Sequence, residues 1–290
     1  MKYRHSFHAG NFADVHKHVG LLALLRAMQR KDKGFLYLDT HAGAGSYDLA
    51  DLSTRHGAEA RHGITALMAA AEPLAPELRD YRAAVTAARH AWSNERAYPG
   101  SPLLAAQALR IQDRALCCEL LARECRALAR TLAGCDHIQI QCADGYQALH
   151  SNLPPRERRC LVLIDPPYEN PPAEISQGLT ALTTALARLA NAVIALWYPI
   201  KDERWLAGWQ RRIEGTLGAP TAYLELWLYP RDARVALNGS GLLIVNPPYR
   251  FARAAQVWQR ELHALLDGTG LGGSAVRAPL AVKDAAHAGA

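Results

Sequence analysis

Apolar residues recur at helical spacing from Ala13 to Arg30 (Val15, Val19, Leu22, Leu25), which predicts a helix running into a basic cluster. Phe35-Leu-Tyr-Leu38 is a short apolar run between Gly34 and Asp39 and predicts a buried strand. After a long interval the alternation resumes. Helical patterns at Leu103 to Gln112, Ala122 to Leu132 and Tyr146 to Asn152 are interleaved with strand-like runs at Ala115 to Cys118, Ile138 to Cys142 and Cys160 to Ile164. Beyond them the pattern predicts a helix at Glu174 to Leu189, a strand at Ala192 to Trp197 and a helix at Asp202 to Glu214. Strands at Ala222 to Leu228 and Gly241 to Val245 have no long helix between them, so they are expected to pair antiparallel. Such alternation implies an α/β fold with a mostly parallel sheet.

The interval itself, Ser46 to Ala97, breaks the rhythm. It is rich in Ala, Arg and His, has helical patterns at Ile64 to Ala71 and Glu77 to Trp92, and has no evident strand. It stands where an α/β unit holds one connecting helix, so residues 46–97 are expected to form a helical insertion. The catalytic domain is then residues 1–45 with 98–267, and the Gly/Ala-rich residues 268–290 are expected to be a weakly ordered tail.

Composition narrows the class without fixing it. The 290 residues are half hydrophobic and about a fifth charged, which excludes a disordered or fibrous chain. The 33 basic against 27 acidic residues leave +6, a mild bias compatible with a nucleic-acid partner. Arg4, Lys17, Arg26, Arg30, Lys31 and Lys33 crowd the amino-terminal part, and with the arginines of the insertion they are expected to flank a pocket and hold phosphates. Six cysteines include no C-x-x-C pair and are too sparse for a disulfide scaffold. The polar start Met1-Lys-Tyr-Arg-His5 has no secretory h-region, and no run of 18 apolar residues suggests a membrane span, so a cytoplasmic location is expected.

The chemistry gathers at the predicted strand ends. Asp39-Thr-His-Ala-Gly-Ala-Gly45 follows a strand, and its glycines allow a sharp turn and a close ligand approach. Asp48 stands where a dinucleotide fingerprint needs its third glycine, which argues against a nicotinamide cofactor. Glu119 and Asp144 end the next two strands, and either alone reads more often as a surface turn residue than as a ligand. In series, a glycine loop, an acid and a second acid give the layout of a nucleoside pocket at the carboxyl edge of a parallel sheet. Asp165-Pro-Pro-Tyr168 is the sharpest feature. Its prolines stiffen the loop and remove two N–H donors, leaving carbonyls and a carboxylate suited to an exocyclic amino group. Tyr168 offers a flat face on which an extruded base can stack.

Asp-Pro-Pro-Tyr after a buried strand resembles the signature of S-adenosylmethionine-dependent methyltransferases that act on adenine N6 or cytosine N4. With Tyr3-Arg-His-Ser-Phe-His-Ala-Gly-Asn11, Lys17-His18, Leu38 to Gly45, Pro99-Gly-Ser-Pro102, Ala143-Asp-Gly145 and Ala195-Leu-Trp-Tyr-Pro199, the chain resembles the bacterial 23S ribosomal RNA adenine-N6 methyltransferases called large subunit methyltransferase J. That resemblance extends from Tyr3 to about Tyr249. It implies a Rossmann-like class I methyltransferase sheet with an inserted helical subdomain, S-adenosylmethionine as cofactor and 23S ribosomal RNA as partner. By position, His18, His41, Ser101, Glu119, Asp144 and Gly145 would line the cofactor site, beside Asp39, Gly43 and Gly45 of the glycine loop. Asp165 would touch both cofactor and target and be catalytic, together with Pro166 and Tyr168; Lys17 and His5 would help form the active site, and Tyr3 would meet the RNA. Cys117-Cys-Glu-Leu-Leu121 departs from the family's local sequence but keeps its acid.

Other readings compete. Asn246-Pro-Pro-Tyr249 passes the same pattern; chain order favours Asp165, which should lie beside the first strand, with Asn246 on an edge hairpin. His16 and His18 are two apart and point to different faces of a helix, and methyl transfer from a sulfonium needs no metal, so none is expected. The aromatic residues from Trp197 to Trp209 are expected to be packing residues. A DNA adenine or cytosine-N4 methyltransferase would share the tetrapeptide, and a non-catalytic RNA- or nucleotide-binding module could share the sheet. A monomer is expected.

Overall fold

The computed structural model describes residues 9–49, 60–169, 171–201, 203–231, 233, 235 and 237–278. The first helix, α1 (Phe12–Gln29), starts where Asn11 accepts a hydrogen bond from Asp14 N. It buries residues on nearly every side, Val15, Val19, Leu24 and Leu25 completely. It then leads into β1 (Leu36–Asp39), whose four residues are all buried. Tyr37 faces the core layer that holds α1, whereas Leu36 and Leu38 face the opposite layer, as expected of a strand covered on both sides.

The remaining strands are β2 (Ser46–Asp48), β3 (Ala97–Pro99), β4 (Arg114–Cys118), β5 (Ile138–Gln141), β6 (Cys160–Ile164), β7 (Val193–Ile200), β8 (Thr221–Trp227), β9 (Gly239–Val245) and β10 (Gly273–Arg277). Eight of them form one sheet in the order β10-β8-β9-β7-β6-β1-β4-β5. From β7 to β5 all neighbours are parallel, and β9 and β10 run antiparallel to theirs. The chain moves from β1 outward to β4 and β5, then returns to place β6 on the other side of β1. That reversal is the topological switch point of a doubly wound, Rossmann-like sheet, and Asp39 and Asp165 both lie at it.

The helices after α1 are α2 (Ala66–Ala69), α3 (Pro76–Ala91), α4 (Ser101–Ala108), α5 (Ala122–Thr131), α6 (Gly145–Asn152), α7 (Pro171–Arg188), α8 (Glu203–Leu217) and α9 (Phe251–Leu266). One core layer packs α1, α3, α4 and α9 on the sheet, and the other packs α6, α7 and α8.

Several expectations are corrected. The excursion between β1 and α4 is not purely helical, because β2 and β3 pair antiparallel and close its base. Its helical part, a π turn at Arg61–Thr65 followed by α2 and α3, shares the α1 core through Ile64, Leu67, Leu78 and Tyr81. The tail is not unstructured from Gly268 onward, since β10 pairs with β8 at the sheet edge; residues 279–290 lie outside the described residues. Helix α9 goes beyond the predicted elements, although its buried positions Phe251, Ala255, Trp258, Leu262 and Leu266 recur at helical spacing. Strand β9 is interior, between β8 and β7, and not part of an edge hairpin. Among the cysteines, Cys125 on α5 and Cys142 beyond β5 are bridged, whereas Cys117, Cys118 and Cys160 are buried thiols. Among the described residues no helix is long and apolar enough to cross a membrane.

Candidate active site

Parallel pairing brings the carboxyl ends of β6, β1, β4 and β5 to one edge, and with them Asp165, Asp39, Glu119 and Asp144 in spatial succession. Each carboxylate is built in differently. Asp39 is fully buried: its Oδ2 accepts from Tyr37 OH at 2.8 Å and Ser101 Oγ at 2.7 Å, and its Oδ1 from His41 N at 3.2 Å. Burial pushes its pKa up to about 6, the three donors oppose that rise, and the charge of Asp165 adds to it. Asp39 therefore braces the turn and Ser101 from behind.

Glu119 ties the glycine loop to the next strand, since Oε2 accepts from Gly43 N at 2.9 Å and Oε1 from Leu121 N at 2.7 Å. Burial raises its pKa against those amides. Asp144 caps α6, with Oδ1 accepting from Tyr146 N at 2.8 Å and Gln147 N at 3.4 Å, while Oδ2 receives no hydrogen bond among the described residues. The loop glycines divide their work. Gly43 has φ +61 and turns its N–H to Glu119. Gly45 has φ +77, and a Cβ there would also meet Leu128 Cδ1 at 2.8 Å; a Cβ on Gly145 would lie 2.0 Å from Thr40 O. The left-handed backbone of Gly45 and the close packing of Gly145 account for their glycine identity.

His41 stands with its ring edge-on to Tyr146 at 5.1 Å. The Thr40 hydroxyl lies 2.7 Å from His41 Nδ1 and 3.0 Å from Leu163 O; when it donates to the carbonyl, the ring proton sits on Nδ1 and Nε2 is an acceptor. Burial lowers its pKa to about 4 despite the nearby charges of Asp165 and Asp144, so the ring is neutral near pH 7. His18 is 1% exposed and bonded through Nδ1 to Tyr98 OH at 2.9 Å, which meets Tyr81 OH at 2.8 Å. His16 points elsewhere, to Ser240 Oγ at 2.9 Å, as the two-residue spacing predicts. Among the described residues there is no group of three His, Cys, Asp or Glu side chains able to hold a metal ion.

The reactive corner is Asp165. Lys17, buried on α1, donates to Asp165 Oδ2 at 2.6 Å and to Asp14 Oδ1 at 2.8 Å. Burial alone would lower the ammonium pKa, but Asp14 and Asp165 outweigh it and hold the pKa above the ordinary lysine value. Pro166 is buried and Pro167 exposed. Tyr168 closes the loop with φ +53, a left-handed conformation that costs a bulky residue about 1–2 kcal/mol. It is held by its hydroxyl, which donates to Trp197 O at 2.7 Å, and by ring contact with Trp197 at 5.5 Å. At 7% exposure Tyr168 does not display an open stacking face, which corrects that expectation: its ring is committed to the core beneath the loop.

Trp197, expected to be packing alone, belongs to the site, since Lys17 Nζ lies 5.9 Å from its ring centroid. Asp14 was not anticipated either, although its i,i+3 spacing from Lys17 carries the signal. Tyr3 and His5 lie outside the described residues. The rival motif is on the other side of the molecule. Val245 pairs with Ile194 at the start of β7, so Asn246-Pro-Pro-Tyr249 emerges at the amino-terminal edge of the parallel strands. Asn246 Nδ2 is committed to the carbonyls of Ala190 and Ala192, both at 2.9 Å. The basic cluster is also displaced: Lys17 is buried in the site, Arg26 pairs with Asp80, and Arg30, Lys31 and Lys33 sit at the far end of α1 from Asp165. Arg4 lies outside the described residues.

Comparisons with known proteins converge on one family. Residues 32–275 match the family model described as "Ribosomal RNA large subunit methyltransferase D, RlmJ". The Ribosomal RNA large subunit methyltransferase J of Haemophilus influenzae is 35% identical over 249 residues, 86% of this chain and 88% of that protein. Its namesake from Escherichia coli is 34% identical over 278 residues, 95% of this chain and 98% of that protein. Among solved structures, protein LPL1258 of Legionella pneumophila aligns with a TM-score of 0.85 at 31% identity, covering 93% of this chain and 98% of that one.

Proposed function

This chain belongs to the RlmJ family of ribosomal RNA large subunit methyltransferases, and from that premise we propose that it methylates the exocyclic N6 amino group of one adenine in 23S ribosomal RNA. It is an S-adenosylmethionine-dependent ribosomal RNA methyltransferase. The base, the 23S molecule, a monomeric state and a cytoplasmic location are the finer parts of the proposal.

The residues at the carboxyl edge fit the cofactor. Asp144 Oδ2, which no described residue uses, and the remaining lone pairs of Glu119 are acceptors where a nucleoside presents an amino group and ribose hydroxyls. His41, neutral near pH 7, can offer a ring nitrogen as acceptor to an ammonium, and the Gly43 turn is braced by Asp39, Ser101 and Glu119. When bound, S-adenosylmethionine supplies a methyl group on a cationic sulfur, already activated for transfer.

Everything else falls to the chain. An adenine amino nitrogen is a weak nucleophile because its lone pair is delocalised into the ring. Asp165 has one oxygen committed to Lys17, so its other oxygen is the acceptor for an amino proton. With the Pro166 carbonyl as second acceptor, the loop favours a pyramidal nitrogen and stabilises the positive charge that develops on it. Asp165 then takes the released proton. Lys17 fixes the orientation of that carboxylate from a buried position, and Trp197 fixes the loop through Tyr168.

The observation that carries this reading is the Lys17–Asp165 pair at the end of β6, on the same sheet edge as Glu119 and Asp144. Incubation with labelled S-adenosylmethionine and protein-free 23S ribosomal RNA, followed by nucleoside mass spectrometry, tests it. N6-methyladenosine at a single site is expected. Label on another nucleoside, or no label in the RNA, would overturn it. Light scattering of the purified chain checks the monomer.

A further inference from the structure

The cofactor edge of the sheet is lined by carboxylates, an electrostatically poor surface for a polyanion. The opposite edge has the reverse character. There the loops that precede β1, β4 and β6 meet the loop that follows β9, and side chains knit them together. Arg30 Nη1 donates to Tyr249 O at 3.1 Å, Arg159 Nη2 to Met28 O at 2.6 Å and Arg110 Nη1 to Lys31 O at 3.2 Å. The acids of this edge are largely neutralised: Asp113 is buried against Arg110, and Glu157 lies under Arg114 and Arg156. The charged side chains that remain exposed in these four loops are Arg30, Lys31, Lys33, Arg156, Arg158 and Arg250, with Asp32 as the exposed carboxylate among them. Burial, with a smaller contribution from the Arg110 charge, lowers the pKa of Arg159.

The second Pro-Pro-Tyr motif sits in this rim, where catalysis does not use it. Tyr249 is 76% exposed, and the Arg250 guanidinium lies 5.0 Å from its ring centroid. Asn246, in a left-handed conformation at φ +52, anchors the loop to the carbonyls before β7 and so holds Tyr249 outward. An exposed aromatic ring beside a guanidinium, in a field of arginine and lysine, suits an unpaired base flanked by phosphates.

We propose that this amino-terminal edge is a second RNA-contact surface, where the basic loops hold phosphates of the substrate beyond the target nucleotide and Tyr249 stacks on an unpaired base. The inference rests on the ribosomal RNA reading given above. Lys17 and Arg30 are 13 residues apart on α1, so the rim begins about 20 Å from the reactive corner. An RNA that touches both edges must extend well past its target adenine. Full-length RNA thus gains contacts that a short stem-loop lacks.

The test uses the whole protein with two RNAs: protein-free 23S ribosomal RNA, and a short stem-loop carrying the adenine mapped with the unaltered enzyme. The variants are Tyr249→Ala and the triple charge reversal Lys31→Glu, Lys33→Glu, Arg250→Glu; Arg30 is kept because it holds the loop. On full-length RNA the triple variant should raise KM about tenfold, and the slope of log affinity against log salt should fall by roughly 0.7–0.9 per lost phosphate contact. Tyr249→Ala should weaken the same RNA about fivefold or more. On the stem-loop both variants should match the unaltered enzyme, with kcat, cofactor affinity and melting temperature retained. Unchanged KM on full-length RNA, or equal losses on both RNAs, would overturn the second surface. An unaltered enzyme that methylates neither RNA would instead sink the functional reading on which it rests.

Discussion

Lys17 and Asp165 lie 148 residues apart in the chain and meet at 2.6 Å where the switch point faces the first turns of α1. The lysine has a second carboxylate, Asp14, at 2.8 Å, so one buried cation holds two anions and the cluster keeps a net negative charge before any ligand arrives. Removing its charge strands both carboxylates, and a buried charge left unpaired destabilises by roughly 3–5 kcal/mol. Lys17→Met should therefore unfold at markedly lower urea concentration. Asp165→Asn keeps the loop's shape and one acceptor, so it should fold nearly normally while methyl transfer falls about 10²–10³-fold. Single-turnover rates at saturating cofactor check this; near-normal transfer by Asp165→Asn would remove the carboxylate from the mechanism. The Lys17 pKa is raised in the folded state, so its stabilisation is complete below the ordinary lysine range and is lost only as pH climbs beyond it.

Asp39 gives a pH dependence of opposite use. Its folded pKa of about 6 lies above the ordinary aspartate value of 3.8, with burial the main cause. Folding thus favours the protonated form: the contribution is fully present below about pH 3.8 and is lost as pH rises through 6. Asp39→Asn stays neutral throughout and keeps an oxygen for Tyr37 and Ser101, although its amide nitrogen then faces the His41 N–H. Relative to the unaltered protein, the variant should gain stability by about 1–3 kcal/mol between pH 4 and 8. Urea titrations at pH 4, 6 and 8 measure the difference, and one that is flat across that range would rule out a buried, strained carboxylate.

Asp144 separates capping from charge. Asparagine caps a helix about as well as aspartate, so Asp144→Asn should leave α6 intact, whereas Asp144→Ala should lose about 1 kcal/mol of stability. Both replace the unpaired Oδ2, the acceptor offered to the cofactor. Calorimetry should find S-adenosylmethionine binding weakened about 10-fold or more in each, by the loss of a charged hydrogen bond. Weakening in the alanine variant alone would assign Asp144 to helix capping.

Much of this site is legible in the chain because its residues sit at strand ends, where a local run of apolar residues tells where the strand stops. Asp39, Glu119, Asp144 and Asp165 follow such runs, and parallel pairing then gathers them. Contacts made across the fold leave no such trace. Trp197 enters the site through its backbone carbonyl and the face of its ring, neither of which a sequence pattern records. Tyr168 reads as a displayed aromatic, yet its hydroxyl finds that carbonyl and the ring is drawn into the core. The basic run from Arg26 to Lys33 reads as one patch with Lys17, but a helix of 18 residues is about 27 Å long and separates its ends onto opposite edges.

The two Pro-Pro-Tyr motifs provide the last test, because they share a pattern and differ in what surrounds them. Asn246 donates to two carbonyls at 2.9 Å and occupies φ +52, a region asparagine tolerates better than alanine. Asn246→Ala loses both bonds and keeps the strained backbone, so it should lower stability by about 1–3 kcal/mol. Asn246→Gly relieves the backbone and should lose less. Neither touches the carboxyl edge: β9 ends beside Ile194, at the start of β7, whereas Asp165 follows the end of β6. Measured on the short stem-loop at a temperature where both variants are folded, kcat and cofactor affinity should equal those of the unaltered enzyme. If Asn246→Ala abolished transfer in folded protein while Asp165→Asn preserved it, the chemistry would belong to the other edge of the sheet.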